Sequence, residues 1–300
     1  MRIARVAGVD YVLKPSLLLM GAVLVAVFTQ RFDEAGRSDP LSLALGFVLG
    51  LYASVLVHEL AHVIAARSFG QRVRSVTLHL LGGETAIEGG SRTPWHELVV
   101  SVVGPLASLA IALVCWQVDD RLTGTAGDVV FLIGSVNLVV AIFNLIPGLP
   151  LDGGRVLKAL IWAATGREAV GITVAGWIGR FTAVALVAYA ATRLGDPGYT
   201  FQLVIAVLVA FFLWTGAGQA IAGADQVSRV NGLVARDIAR PGVPAPGATV
   251  LRADLHGGDL IREIAAHPDE QYAVTEADGT VVGSLTLDDL DEAYRTAGDR

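Results

Sequence analysis

The chain has 300 residues, 53% hydrophobic and 17% charged, where a soluble domain carries about 25% charged residues. Its net charge of −6 offers no basic face for nucleic acid. One cysteine, Cys115, excludes both an intrachain disulfide and a cysteine-ligated zinc site.

Residues 1–14 carry Arg2, Arg5 and Lys14 and precede a first apolar run, Pro15 to Thr29. That run lacks a small-x-small cleavage site and further spans follow, so it predicts a membrane helix rather than a signal peptide. A charged link, Arg31 to Asp39, leads to a second run from Pro40 to about Ala66. The stretch Arg67 to Pro94 is different. Val73 to Leu80 alternates and is rich in β-branched residues, Gly82-Gly83 reads as a turn, and Glu84 to Glu88 runs back, which predicts a β-hairpin. The third run, Leu98 to Val118, contains Gly104-Pro105, expected to kink it or to mark a packed region. The fourth, Val129 to Ile146, runs into Pro147, Gly148, Pro150, Asp152, Gly153, Gly154 and Arg155. The fifth covers Val170 to Thr192 and the sixth Tyr199 to Ala222. The clean runs reach the roughly 17–25 residues that span a bilayer.

From about Val227 the composition becomes that of a soluble module. Pro241 to Gly247 is irregular, Leu260 to Ala266 reads as a helix, and Gln271–Glu276 and Thr280–Thr286 read as strands joined at Asp278-Gly279. Leu287 to Thr296 closes a βαββα pattern. The expected domains are 1–226 in the membrane and 227–300 outside it. Basic residues gather at the N-terminus, in 67–94 (Arg67, Arg72, Arg74, Arg92) and after the fourth run (Arg155, Lys158, Arg167). Acidic ones outweigh basic ones in 31–39 and at Asp119, Asp120 and Asp128 against Arg121. By the positive-inside rule this alternation places both termini in the cytoplasm. Lysine occurs only at 14 and 158, a hint of a GC-rich bacterial genome, and the expected location is a bacterial inner membrane.

The second run carries His58-Glu59-Leu60-Ala61-His62. Residues four apart share a helix face, so the two imidazoles can hold a zinc ion and Glu59 can handle a water. Ionisable groups inside a membrane helix are costly and usually functional. Catalytic zinc needs a third protein ligand. Asp152 is the candidate, although taken alone an ordinary turn aspartate in Leu-Asp-Gly-Gly at the membrane surface is the simpler reading. The Asn144 amide could hold a substrate carbonyl or a developing oxyanion, or merely cap or bridge helices.

His58-Glu59-x-x-His62, with Asn144-x-x-Pro147 and Leu151-Asp152-Gly153-Gly154-Arg155, resembles the site-2 protease family of intramembrane zinc metalloproteases. The resemblance covers about residues 10–222. It implies that His58, His62 and Asp152 bind one zinc per subunit, that Glu59 is the catalytic base, and that the Gly82-Gly83 hairpin is a re-entrant element beside the site. The implied fold is a polytopic α-helical membrane protein of about six spans. The implied substrate is a membrane-spanning protein, such as a tethered anti-sigma or transcription factor. Residues 272–275 and 283–290 resemble a single cystathionine-β-synthase (CBS) motif. That resemblance implies a regulatory α/β domain with an adenine nucleotide at Thr286 and Asp289. A single motif implies a dimer, or a module that has lost its nucleotide, and the alternative is a protein-contact or purely structural tail. The rival expectations are a transporter or channel gated by this tail and a scaffold with structural zinc. Zinc retained but proteolysis lost in Glu59→Gln separates the enzyme from the transporter, and a closed four-ligand site would mark the scaffold.

Overall fold

A backbone inside lipid has no water to bond, so each apolar run satisfies its own amides as a helix. The computed structural model of the protein describes residues 2–79, 82–88, 90–119, 122, 124–194 and 199–297. It opens with strands β1 (Arg2–Val6) and β2 (Val9–Leu13), then helices α1 (Pro15–Glu34) and α2 (Pro40–Ser68). Strands β3 (Val73–His79) and β4 (Gly82–Ile87) follow, then α3 (Pro94–Asp119), α4 (Thr125–Asn144), the shorter α5 (Asp152–Thr165), α6 (Glu168–Ala191) and α7 (Thr200–Asn231). All six expected spans are present as helices long and apolar enough to cross a membrane. They expose large apolar side chains such as Leu18, Leu49, Phe181 and Phe211, which suits a surface solvated by lipid.

The strands form one sheet in the order β1-β2-β3-β4, with β2 and β3 parallel and the outer pairs antiparallel. This corrects the sequence reading, which saw a lone hairpin and only a basic tail at the N-terminus. The first hairpin turns through Ala7 (φ 51°) and Gly8 (φ 82°). Both central residues of this turn need positive φ, usually supplied by Asn-Gly or Asp-Gly, and Ala-Gly gives no such signal. Strand β2 runs straight into α1, and the Lys14 amide donates to the Leu78 carbonyl at 2.9 Å. Val9, Leu17, Val63, Ala66, Val76 and Val100 bury the inner face of the sheet against α1, α2 and α3.

Two further details differ from expectation. Gly82 and Gly83 belong to β4 rather than to a turn, since His79 pairs with Gly82. The connecting residues 80 and 81 lie outside the described residues, as do Asp120 and Arg121 of the charge pattern. Gly104 and Pro105 are both buried, as expected of a packed region, and α3 continues through Pro105. Asp152 opens a 14-residue helix instead of sitting in a surface turn. The Asp-Gly-Gly start hides that helix, because glycine is a poor helix former.

Contacts divide the chain into two compact units, residues 1–166 with 171–220, and residues 167–170 with 221–300. The second unit holds α8 (Ala235–Ile238), β5 (Thr249–Arg252), α9 (Gly257–Ala266), β6 (Gln271–Thr275), β7 (Val281–Thr286) and α10 (Leu287–Thr296). Its sheet runs β5-β6-β7, with β5 and β6 parallel and β6 and β7 antiparallel. Leu233, Leu251, Leu260, Tyr272, Val274 and Leu285 form its core.

Candidate metal centre

Helical spacing puts His58 and His62 on one face of α2, and both rings are buried. Asp152, at the first turn of α5, meets them although it is 94 residues from His58. His58 Nε2 lies 3.1 Å from Asp152 Oδ2, His62 Nε2 lies 3.4 Å from the same oxygen, and the two Nε2 atoms are 3.2 Å apart. With zinc–ligand bonds of about 2.0–2.1 Å, two donors of a tetrahedral site sit about 3.3 Å apart. Among the described residues this is the one group of three His, Cys, Asp or Glu donors close enough to share an ion.

The far sides of the rings are fixed too. His62 Nδ1 is 2.6 Å from the Val100 carbonyl, which can only accept, so Nδ1 carries the proton and Nε2 presents its lone pair to the site. His58 Nδ1 is 3.0 Å from the Ser108 hydroxyl. Both partners belong to α3. That helix comes close because residue 104 is glycine: a Cβ there would stand 2.3 Å from His62 Nε2 and 2.6 Å from His58 Nε2. The space where a side chain would go is the space an ion needs. Such outer hydrogen bonds commonly govern metal affinity by 10–100-fold. In Ser108→Ala zinc affinity is therefore expected to fall roughly tenfold, read by competition with a chromophoric chelator. Unchanged affinity would mean that Ser108 only packs.

Asp152 is held by backbone packed on backbone. A Cβ on Gly154 would lie 2.2 Å from the Gly148 carbonyl carbon and the Leu149 nitrogen, and one on Gly179 would lie 1.9 Å from the Leu149 oxygen. The Leu149 amide donates to the Ala175 carbonyl at 3.0 Å, which ties the 147–151 segment to α6. On α5 itself, Arg155 Nε and Lys158 Nζ lie 3.1 and 3.2 Å from one oxygen of Glu97, which is 2% exposed. Glu97 thus clamps α3 to the helix that starts with Asp152. Breaking a buried pair on one side typically costs about 3–5 kcal/mol. Because Arg155 and Lys158 retain some exposure, Glu97→Gln is expected to cost about 3 kcal/mol, the low end of that range. A thermal unfolding midpoint unchanged from wild type would refute the clamp.

Glu59 is buried one residue round from His58, and its Oε2 accepts from the Thr85 hydroxyl at 2.7 Å. Strand β4 lies close enough that a Cβ on Gly83 would be 2.4 Å from the Glu59 Cγ. Close approach, not a turn, is what this glycine supplies. His58, Glu59, His62, Asp152 and Asn144 all line one cavity of about 630 Å³. The sequence reading missed Thr85, Ser108 and Asn137, which share that cavity with Arg155. The signal for Ser108 and Asn137 was their polarity within apolar runs. Asn137 is fully buried and donates to Ser54 Oγ at 3.0 Å. His79 also lines the cavity, whereas His96 stacks on Phe69 at 4.3 Å. Arg180 lies 5.0 Å from the rings of both Trp177 and Trp214, so it faces protein.

In the second unit Thr286 and Asp289 bond each other as the capping box of α10, with Thr286 Oγ1 donating to Asp289 Oδ2 at 2.6 Å. Arg240 Nε reaches Asp289 Oδ1 at 2.5 Å. Desolvation raises the Asp289 pKa, but the Thr286 and Arg240 contacts outweigh it and the carboxyl titrates below its usual value.

A profile of the family described as Peptidase family M50 matches residues 46–124 and 119–188. A protein of Synechocystis sp., provisionally named a zinc metalloprotease, is 32% identical over 302 residues, 96% of this chain and 76% of its own length. One from Mycobacterium tuberculosis with the same kind of name is 31% identical over 254 residues, 83% of this chain but 63% of its own length. The solved structure of a site-2 protease from Methanocaldococcus jannaschii superposes with a TM-score of 0.57 at 24% identity, over 74% of this chain and 94% of that one, which speaks for a shared fold. With the donor trio on two helices and a carboxylate beside it, these likenesses have one reading: the chain belongs to peptidase family M50 and is a multi-pass membrane zinc metalloprotease.

Proposed function

We propose that the protein is an intramembrane endopeptidase in which His58, His62 and Asp152 hold one zinc ion and Glu59 moves the proton. The observation that carries this reading is the buried trio of donors at 3.1–3.4 Å with Glu59 beside it. When bound, zinc supplies Lewis acidity that lowers the pKa of water and polarises a carbonyl. Glu59, steadied by Thr85, accepts the proton of the attacking water and delivers it to the leaving amine. The Asn144 amide, on the cavity wall, donates to the scissile carbonyl as negative charge gathers on its oxygen.

The substrate is a membrane-spanning segment. Its helical amides are internally bonded and must be freed before attack. β4 is an edge strand of the sheet and carries Thr85, so a substrate unwound to a strand can replace its lost bonds along that edge. This supports a β3–β4 hairpin that re-enters beside the site. A membrane-tethered anti-sigma or transcription factor would be such a substrate, in regulated intramembrane proteolysis. The positive-inside pattern supports cytoplasmic termini, and the scarcity of lysine supports a bacterial source and so a bacterial inner membrane.

Residues 1–226 form the protease domain in this reading, and 227–300 a CBS-like regulatory domain. The β5-α9-β6-β7-α10 order supports the second assignment, with dimerisation as its expected consequence. An adenine nucleotide at Thr286 and Asp289 would have to share both side chains with the α10 cap and Asp289 with Arg240.

The test uses the full chain in detergent, a peptide containing one transmembrane segment, and a soluble peptide of equal length. Cleavage mapped inside the transmembrane segment, abolished by a zinc chelator and restored by zinc, is expected. Cleavage of the soluble peptide alone would refute the substrate class.

A further inference from the structure

Away from the metal centre, a cleft of about 570 Å³ opens where α2 ends and the sheet begins. Arg67 reaches it from the last turn of α2, Arg72 and Arg74 from the entry to β3, and Arg5 from β1. Asp10 and Glu88 also line it, so four cations face two anions, a balance of +2. Some of that charge is engaged: Arg67 donates to the Ala7 carbonyl, and Arg5 Nε lies 3.7 Å from Asp10. Arg72 and Arg74 have no ion pair among the described residues. The decisive residue is Gln71. It lines the same cleft, is only 7% exposed, and neither its Nε2 nor its Oε1 has a hydrogen-bond partner among the described residues.

A buried amide left unpaired on both atoms is rare and asks for a reason. Nε2 can only donate and Oε1 can only accept. A ligand that satisfies this wall therefore brings anionic oxygen for Nε2 and the arginines, and a hydroxyl that donates to Oε1. Arginine forks suit phosphate oxygens in particular. The position argues for a lipid source. The cleft adjoins the C-terminal end of the apolar helix α2, and β2, which carries Asp10, leads directly into the N-terminal end of α1. Basic clusters at the end of a membrane span attract anionic lipids.

We propose that this cleft binds the phosphoglycerol headgroup of an anionic membrane lipid. The phosphate sits between Arg72 and Arg74 and accepts from Gln71 Nε2, while a glycerol hydroxyl donates to Gln71 Oε1.

The experiment measures thermal unfolding of the full chain in neutral detergent. It compares added phosphatidylglycerol, phosphatidylcholine with the same acyl chains, and glycerol 3-phosphate. Phosphatidylglycerol is expected to raise the wild-type midpoint, and the other two to leave it where it is. In Arg72→Gln/Arg74→Gln the concentration for half the shift should rise at least tenfold. Gln71→Leu should raise the lipid-free midpoint, by removing the unpaired amide, yet blunt the response to lipid. Arg31→Gln/Arg92→Gln, with the same loss of charge elsewhere, should respond as wild type. An equal response to phosphatidylcholine, or an undiminished response in either cleft variant, overturns the site. A response lost equally in the Arg31/Arg92 control reduces the effect to net charge and also overturns it. Stabilisation by glycerol 3-phosphate at the same concentration overturns the lipid assignment in favour of a soluble phosphate ester.

Discussion

In Glu59→Gln, peptide hydrolysis is expected to fall about 10³-fold while zinc stays bound. The change swaps one oxygen for an NH₂ of nearly equal size. Thr85 keeps an oxygen to donate to, and the contacts among His58, His62 and Asp152 do not involve Glu59. What disappears is the ability to take up a proton, and general acid–base catalysis by a placed side chain is worth about 10²–10⁴-fold. Zinc content by mass spectrometry and cleavage rate on the same preparation read the two halves of the expectation. A variant that cuts at the wild-type rate would remove Glu59 from the mechanism. One that loses its zinc would show that the carboxylate builds the site rather than serving it.

Gly104→Ala is expected to do the opposite: zinc binding weakens by more than about 100-fold, beyond the range seen for outer hydrogen-bond partners. The added methyl would lie 2.3 Å from His62 Nε2, so α3 must move or the imidazole must turn. Neither is free, because His62 Nδ1 is bonded to Val100 on the same helix. Overpacking of this kind typically costs about 1–3 kcal/mol. Helix propensity alone predicts the reverse sign, since alanine in a helix interior is favoured over glycine by about 1 kcal/mol. A zinc titration with an unfolding curve therefore decides between them. A more stable variant that still binds zinc tightly would show that α3 has room to yield.

The spans were legible because a helix in lipid is written in composition, with few charges over about 20 residues. His58 and His62 were legible because a fixed spacing on one helix is a local property. Asp152 was not, on residues alone. It reaches the histidines through a segment whose shape depends on Gly148, Gly153, Gly154 and Gly179 meeting other backbone, a relation between distant parts of the chain. The α5 helix was hidden by its own glycines, and the first hairpin by an alanine where asparagine or aspartate would signal the turn. Glu97 was not legible as a clamp, because its partners lie 58 and 61 residues away.

The segment before Asp152 sets an unusual condition on drift. Its position is dictated by main-chain atoms touching main-chain atoms, with the 147–151 segment lying against α6 at Gly148 and Gly179. Side chains that face lipid, such as Phe181 or Phe211, can therefore be exchanged among apolar types without moving the carboxylate. Tolerance on the outside and intolerance of a single methyl on the inside belong to the same helices. A substitution map of this protease should accordingly be bimodal, with little between indifference and collapse.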